Sequence, residues 1–247
     1  MIWKPNPKQA GSRLCDCVPL PGPCPNNCPD CYYNRPGAFY MPLDQPVFPP
    51  IEYAKGKVVR VNSGGDSNHH RNYVIKSTEC YDHRFFNTSR PDLYLDFPEP
   101  VVVTVNPRNF TDWFYAISAV DNLMFVRVKI TSWNEDLLLD TVNHYSMLGV
   151  PVVLTDMRFY TESLVLEPDA YEYRYHVKNP YWCLKHDIWR AIWKEYESSP
   201  YVLSCGSPVS PYCRDCENCW ELYWYKKDGD DRRLEKLKRR QIQNFEG

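Results

Sequence analysis

Residues 57–66 read KVVRVNSGGD. The run KVVRVN, rich in β-branched residues, predicts a buried strand, and it opens directly into Ser63-Gly64-Gly65-Asp66. Two glycines at a strand end let the backbone approach a ligand closely. Similar apolar runs recur outward from this point, at 12–17, 101–106 (VVVTVN), 124–131 (MFVRVKIT), 151–157 (PVVLTDM) and 201–205 (YVLSC). Helix-compatible stretches lie between them. One spans 67–76, and another follows Thr111 with Trp113, Phe114, Ile117 and Val120. A third starts at a capping box of Ser132 and Glu135 and closes at Gly149. The longest covers 181–197, with Leu184, Ile188, Trp189, Ile192, Trp193 and Tyr196 at helical spacing. This alternation predicts an α/β fold with a parallel sheet and crossover helices.

Between the first two predicted strands stands CPNNCPDC, with Cys24, Cys28 and Cys31. C-x3-C-x2-C supplies three thiolates to a 4Fe-4S cube, whose fourth iron stays open to a non-protein ligand. Zinc sites and disulfides also gather cysteines in proline-rich loops. The Gly-Gly-Asp turn at a strand end, about 30 residues after Cys31, weighs toward the cluster.

Together these two elements resemble the radical S-adenosylmethionine (radical SAM) superfamily. The resemblance implies a partial (β/α)6 TIM-like barrel over 1–204, with the cysteine loop after the first strand. It implies SAM bound through its amino and carboxylate groups to the open iron of a cluster on Cys24, Cys28 and Cys31. Backbone groups of Gly64, Gly65 and Asp66 would hold the SAM amino group. An electron from a donor such as flavodoxin or ferredoxin would then cleave SAM to methionine and a 5'-deoxyadenosyl radical. The family usually carries an aromatic residue before the third cysteine, near the adenine. Asp30 stands there in this chain, and Tyr32 and Tyr33 follow to take over that packing.

Ligands of parallel barrels sit at the C-terminal strand ends. Alternation puts Arg127, Lys129 and Thr131 on one face of the 124–131 strand, opposite Val126, Val128 and Ile130. If that face looks inward, its two cations call for an anion, either the SAM carboxylate or a substrate phosphate or carboxylate. If it looks outward, they are solvated. Thr104, Asn106, Thr155 and Asp156 are further strand-end candidates.

Past the last strand a cysteine-rich extension covers 205–247, with Cys205, Cys213, Cys216 and Cys219 in CGSPVSPYCRDCENCW. Four thiolates close a site, so this reads as a second 4Fe-4S cluster, favoured by the ferredoxin-like C-x2-C-x2-C run, or as zinc. Cys15 and Cys17 share a strand face, as buried residues or spare ligands, while Cys80 and Cys183 read as packing residues. His69 and His70, adjacent on a helix, would point apart. His144 and His186 read as solvent-facing or satisfied.

A formal charge of -2 and a pI near 6.3 provide no global field for nucleic acid or an anionic membrane. Nothing in MIWKPNPKQAG resembles a secretory h-region, and no apolar run approaches a membrane span. The expected compartment is the cytoplasm, where the eleven cysteines stay reduced as ligands. The tail 226–240 has eight basic against four acidic residues, net +4, on a predicted helix that could follow a phosphate backbone. With 19 Tyr and 8 Trp available for stacking, the preferred substrate is a nucleobase or hypermodified DNA base that is rearranged or modified. A small molecule or peptide is the alternative substrate, and a non-enzymatic zinc-stapled nucleic-acid-binding module the alternative class.

Overall fold

The computed structural model describes residues 3–28, 31, 44–90, 96–109, 121–175, 180–205 and 212–246. Nine strands are described: β1 (Leu14–Cys17), β2 (Val58–Val61), β3 (Arg84–Thr88), β4 (Val101–Val105), β5 (Leu123–Ile130), β6 (Val152–Asp156), β7 (Tyr171–Arg174), β8 (Tyr181–Leu184) and β9 (Val202–Cys205). The helices are α1 (Ile51–Ala54), α2 (Arg71–Ser77), α3 (Glu135–Met147), α4 (His186–Tyr196), α5 (Cys213–Cys216), α6 (Asn218–Asp228) and α7 (Arg232–Glu246).

Seven strands form one curled parallel sheet in the order β1-β2-β3-β4-β5-β6-β9, and β7 and β8 make a separate antiparallel pair. The order never reverses. Ala54, Val74, Leu138, Val142, Tyr145, Trp189, Ile192 and Trp193, from α1 to α4, all join the core on one face, with Val59, Val61, Val103, Val126, Val128 and Leu154. A sheet wound in one direction with its crossovers on one side curls into a half-barrel, unlike a doubly wound sheet.

The expectation of a parallel α/β sheet holds, but six strands become seven. β3 (RFFNT) was missed because Arg84, Asn87 and Thr88 interrupt its apolar signal, although all five residues are buried. The helix expected over 67–76 starts only at Arg71. The one expected from 181 starts at His186, because residues 181–184 pair with β7. The capping box is absent: Asn134 precedes α3, and its Oδ1 accepts from the Thr131 amide and hydroxyl at 2.8 and 2.9 Å. The expected closure at Gly149 is present, with φ +71 and amides of Gly149 and Val150 bonded back into the last turn. The helix expected to follow Thr111, with Trp113, Phe114, Ile117 and Val120, lies outside the described residues.

The C-terminal segment does not stand apart. Cys219, Leu222 and Tyr223 of α6, with Leu234 and Leu237 of α7, pack on the inner face of the sheet against Leu14, Val58, Phe85, Val102, Phe125, Val153 and Leu203. The single tail helix of the sequence reading is two, divided at Gly229 in a left-handed conformation. The inner face therefore has two layers, an apolar floor closed by α6 and α7 and a polar layer toward the C-terminal strand ends.

Candidate functional site

β2 delivers the Gly-Gly-Asp turn beside the cysteine loop, and one asparagine fastens them together. Asn26, between Cys24 and Cys28, donates from Nδ2 to Asp66 Oδ2 and to Ser89 Oγ, each at 2.8 Å. Its Oδ1 is 2.8 Å from His69 Nε2, which must therefore be the donor. Asp66 is 3% exposed. It also accepts from Thr88 Oγ1 and the Asn68 amide through Oδ1, and from the Ser89 amide and hydroxyl through Oδ2. Its carboxylate is thus saturated by the protein and serves as an anchor, leaving any ligand contact at this turn to the backbone.

A cavity of about 460 Å³ lies between loop and turn, bordered by Cys24, Gly64, Gly65, Asp66, His70 and Tyr73. A side chain at position 65 would meet Asn62 Oδ1 at 3.4 Å, so the glycine keeps this edge open. Cys24, Cys28 and Cys31 are all partly buried. Burial, more than the nearby Asp66, Cys31 and Cys28, pushes the Cys24 thiol up to about 11. Asn26, which motif spacing did not single out, and His69, read there only as pointing away from His70, are joined in this network. Asp30, Tyr32 and Tyr33 lie outside the described residues.

The polar layer begins at β1 and β2. Arg60 Nε donates to Asp16 Oδ1 at 2.7 Å, and Gln9 and Asn6 donate to the same carboxylate at 2.8 and 2.9 Å. Burial opposes ionisation of Asp16, but the Arg60 charge and these hydrogen bonds outweigh it and hold its carboxyl below the usual range. Arg127 and Lys129 belong to the same inner layer, because Arg127 pairs in register with Thr104 and Val153, and Lys129 with Thr155. Their outward alternative is thereby excluded. Arg127 Nη1 reaches Thr104 Oγ1 at 3.4 Å. Burial first, and Arg127 second, push Lys129 down to about 8. Burial also raises Asp156 to about 6, against the pull of Arg158 at 3.5 Å. Asn106 is a turn residue that accepts from the Arg108 amide.

Cys205 ends β9 beside Thr155 on the inner face. A hydrogen bond with Cys216, then the charges of Arg127, Lys129 and Arg60, overcome burial and bring Cys205 down to about 5. Burial raises Cys213 to about 12 and raises Cys219, and both feel Arg60 and Cys205. The four cysteines thus share one electrostatic neighbourhood. Among the described residues no three His, Cys, Asp or Glu side chains stand in metal-ligand geometry around one point.

Cys15 and Cys17 are buried on the helix-covered face, where burial raises Cys15 to about 12 and Cys17 well above its ordinary value. Cys183 is buried as expected, whereas Cys80 is exposed and so is no packing residue. The basic tail is largely spent within the protein. Glu221, 2% exposed, binds Arg233 and Lys236 at 2.9 and 2.6 Å, and Arg240 pairs with Glu217. Lys227 pairs with Glu99, and Lys238 donates to the Val202 carbonyl. No described helix is long and apolar enough to cross a membrane. No known protein family, curated protein or solved structure matches the chain.

Proposed function

We propose that this chain is a radical SAM enzyme on a partial (β/α) TIM-like barrel. One observation carries the reading: Asn26 ties the C-x3-C-x2-C loop to the Gly-Gly-Asp turn at the end of a parallel strand, with a cavity between them. Cys24 at the cavity, Cys28 and Cys31 further along the same loop, and an open glycine edge suit a 4Fe-4S cluster and SAM, held by the three thiols and the backbone of Gly64 to Asp66. Bound, that pair supplies a 5'-deoxyadenosyl radical for hydrogen abstraction. The protein's own work is to fix the loop through Asn26 and Asp66, and to close the floor beneath the reacting centre with α6 and α7.

Cys205, Cys213, Cys216 and Cys219 are the ligands proposed for a second cluster, with zinc as the alternative metal. The proposed reaction is rearrangement or modification of a nucleobase, free or within hypermodified DNA. The paired cations of α7 argue that any nucleic-acid grip comes from elsewhere than the tail.

The test is anaerobic reconstitution with iron and sulfide, then dithionite and SAM, with mass spectrometry for 5'-deoxyadenosine. Its formation by the wild type and complete loss in Cys28→Ala is the expected result. Cleavage persisting in that variant would remove the cluster assignment. A colourless zinc protein that does not bind SAM would favour the binding module.

A further inference from the structure

We infer that Thr104, Arg127, Lys129 and Thr155 form an oxyanion subsite that holds a phosphate or carboxylate group of the substrate. Calling the guest a substrate rests on the enzymatic reading above; the anion site itself does not.

The four residues occupy three adjacent strands of the inner layer. Thr104 stands beside Arg127, and Lys129 beside Thr155, in direct register. Neighbouring strands lie roughly 4.8 Å apart and alternate residues roughly 6.6 Å apart along a strand, so the four lie on a diagonal of about 12 Å at the backbone, with the two cations side by side between the threonines. Every group there can donate a hydrogen bond. Arg127 and Lys129 bring two positive charges, and neither forms an ion pair among the described residues. The nearest carboxylates are engaged elsewhere, Asp16 with Arg60 and Asp156 with Arg158 and the Leu184 amide. Thr155 Oγ1 is buried without a partner. Among the described residues Cys205, in register beside Thr155, is the one acidic side chain that faces them, and a single thiol cannot compensate two like charges and an unspent hydroxyl in a sheltered layer. Their complement is a group made of acceptors, with one or two negative charges and several oxygens. Phosphate offers oxygens to all four donors, and a carboxylate to fewer.

The geometry also separates this subsite from the Gly-Gly-Asp cavity. None of the four residues borders that cavity, which Cys24, Gly64 and Gly65 line from β2 and the cysteine loop.

The test titrates inorganic phosphate, and acetate in parallel, into the full chain by calorimetry, with Arg127→Met, Lys129→Met, Thr155→Val and the double Met variant. Phosphate should bind the wild type, at least tenfold more weakly to either Met variant and about threefold more weakly to Thr155→Val. Acetate binding tighter than phosphate would assign the guest as a carboxylate. Thermal melts without ligand serve as the second readout, and the Met variants should melt at or above the wild type because an uncompensated charge has gone.

Overturning results are phosphate and acetate both failing to bind the wild type, affinities unchanged in the variants, or Met variants that unfold more easily or fail to fold. Metal content lost with anion binding unchanged would also overturn it, reassigning the cations to the Cys205 group. Anion binding without 5'-deoxyadenosine formation would leave the subsite standing and remove only the radical reading.

Discussion

The two ends of the polar layer treat charge in opposite ways. At β1 and β2, Asp16 is 1% exposed and meets Arg60, Gln9 and Asn6, so every strong polar group finds a partner. At β5 and β6, Arg127 and Lys129 share a face with no carboxylate partner among the described residues, the Cys205 thiol is the acidic group that feels them, and burial pushes Lys129 toward its neutral form. The same sheet and depth thus hold a satisfied network and an unsatisfied one. A satisfied network fixes structure, whereas an unsatisfied one is a cost that a ligand can relieve. The contrast sets a fastening at the first end against the proposed anion subsite at the second.

Removing a partner from the satisfied end should therefore do the most damage. Asp16→Ala leaves Arg60, whose side chain is 18% exposed, with no carboxylate and is expected to cost about 3–5 kcal/mol in urea denaturation at pH 7. The pH dependence has a definite sign. Asp16 ionises more readily in the folded chain, so its stabilisation is present above its ordinary value of 3.8 and is lost as pH falls through the lower folded value. The difference between wild type and variant should shrink only below pH 3.8. A loss under 1 kcal/mol at pH 7 would break the contrast at its stronger end.

Asp66 extends the fastening to the cysteine loop. In Asp66→Asn one carboxylate oxygen becomes an amide that faces donors, either Thr88 and Asn68 or Asn26 and Ser89. The expected cost is about 2–3 kcal/mol. Because the loop hangs on Asn26, Cys24 should also become more reactive toward iodoacetamide. Loss of stability with unchanged Cys24 reactivity would place the anchor's effect in the β3 end alone.

The strands that carry long apolar runs were legible, since β4 and β5 need only their β-branched residues to be recognised. β3 was not, because a buried arginine that donates to the Tyr81 carbonyl reads as a surface residue in one dimension. Pattern also located the inner face of β5, but register was needed to set Thr104 and Thr155 beside its cations. The cysteine and glycine motifs announced their segments, whereas the link between them, Asn26 to Asp66, spans 40 positions and leaves no periodic trace. The pairing of the tail was hidden for the same reason. Its net charge is local in sequence, but Glu217 and Glu221, which offset half of it, lie at the cap and in the first turn of the preceding helix.

Asp156 gives the smallest expected change; it stands beside Ile130 on the opposite face of β6 from Thr155, paired with Arg158, and acts on Lys129 from there. Burial holds its folded value near 6, so between pH 3.8 and 6 the folded chain retains a proton that the unfolded chain releases. Stability consequently falls as pH rises through that window, the reverse of Asp16. Two units would correspond to about 3 kcal/mol, but the side chain is 24% exposed and Arg158 is close, which reduces the effect to about 1–2 kcal/mol. Asp156→Asn keeps an acceptor for the Leu184 amide while removing the charge. It should be more stable than wild type by that amount at pH 7.5, with the gain closing as pH falls toward 3.8. Urea midpoints across this range measure it. A variant less stable than wild type at pH 7.5 would mean that Asp156 is as firmly paired with Arg158 as Asp16 is with Arg60, and burial would no longer be the dominant effect on it.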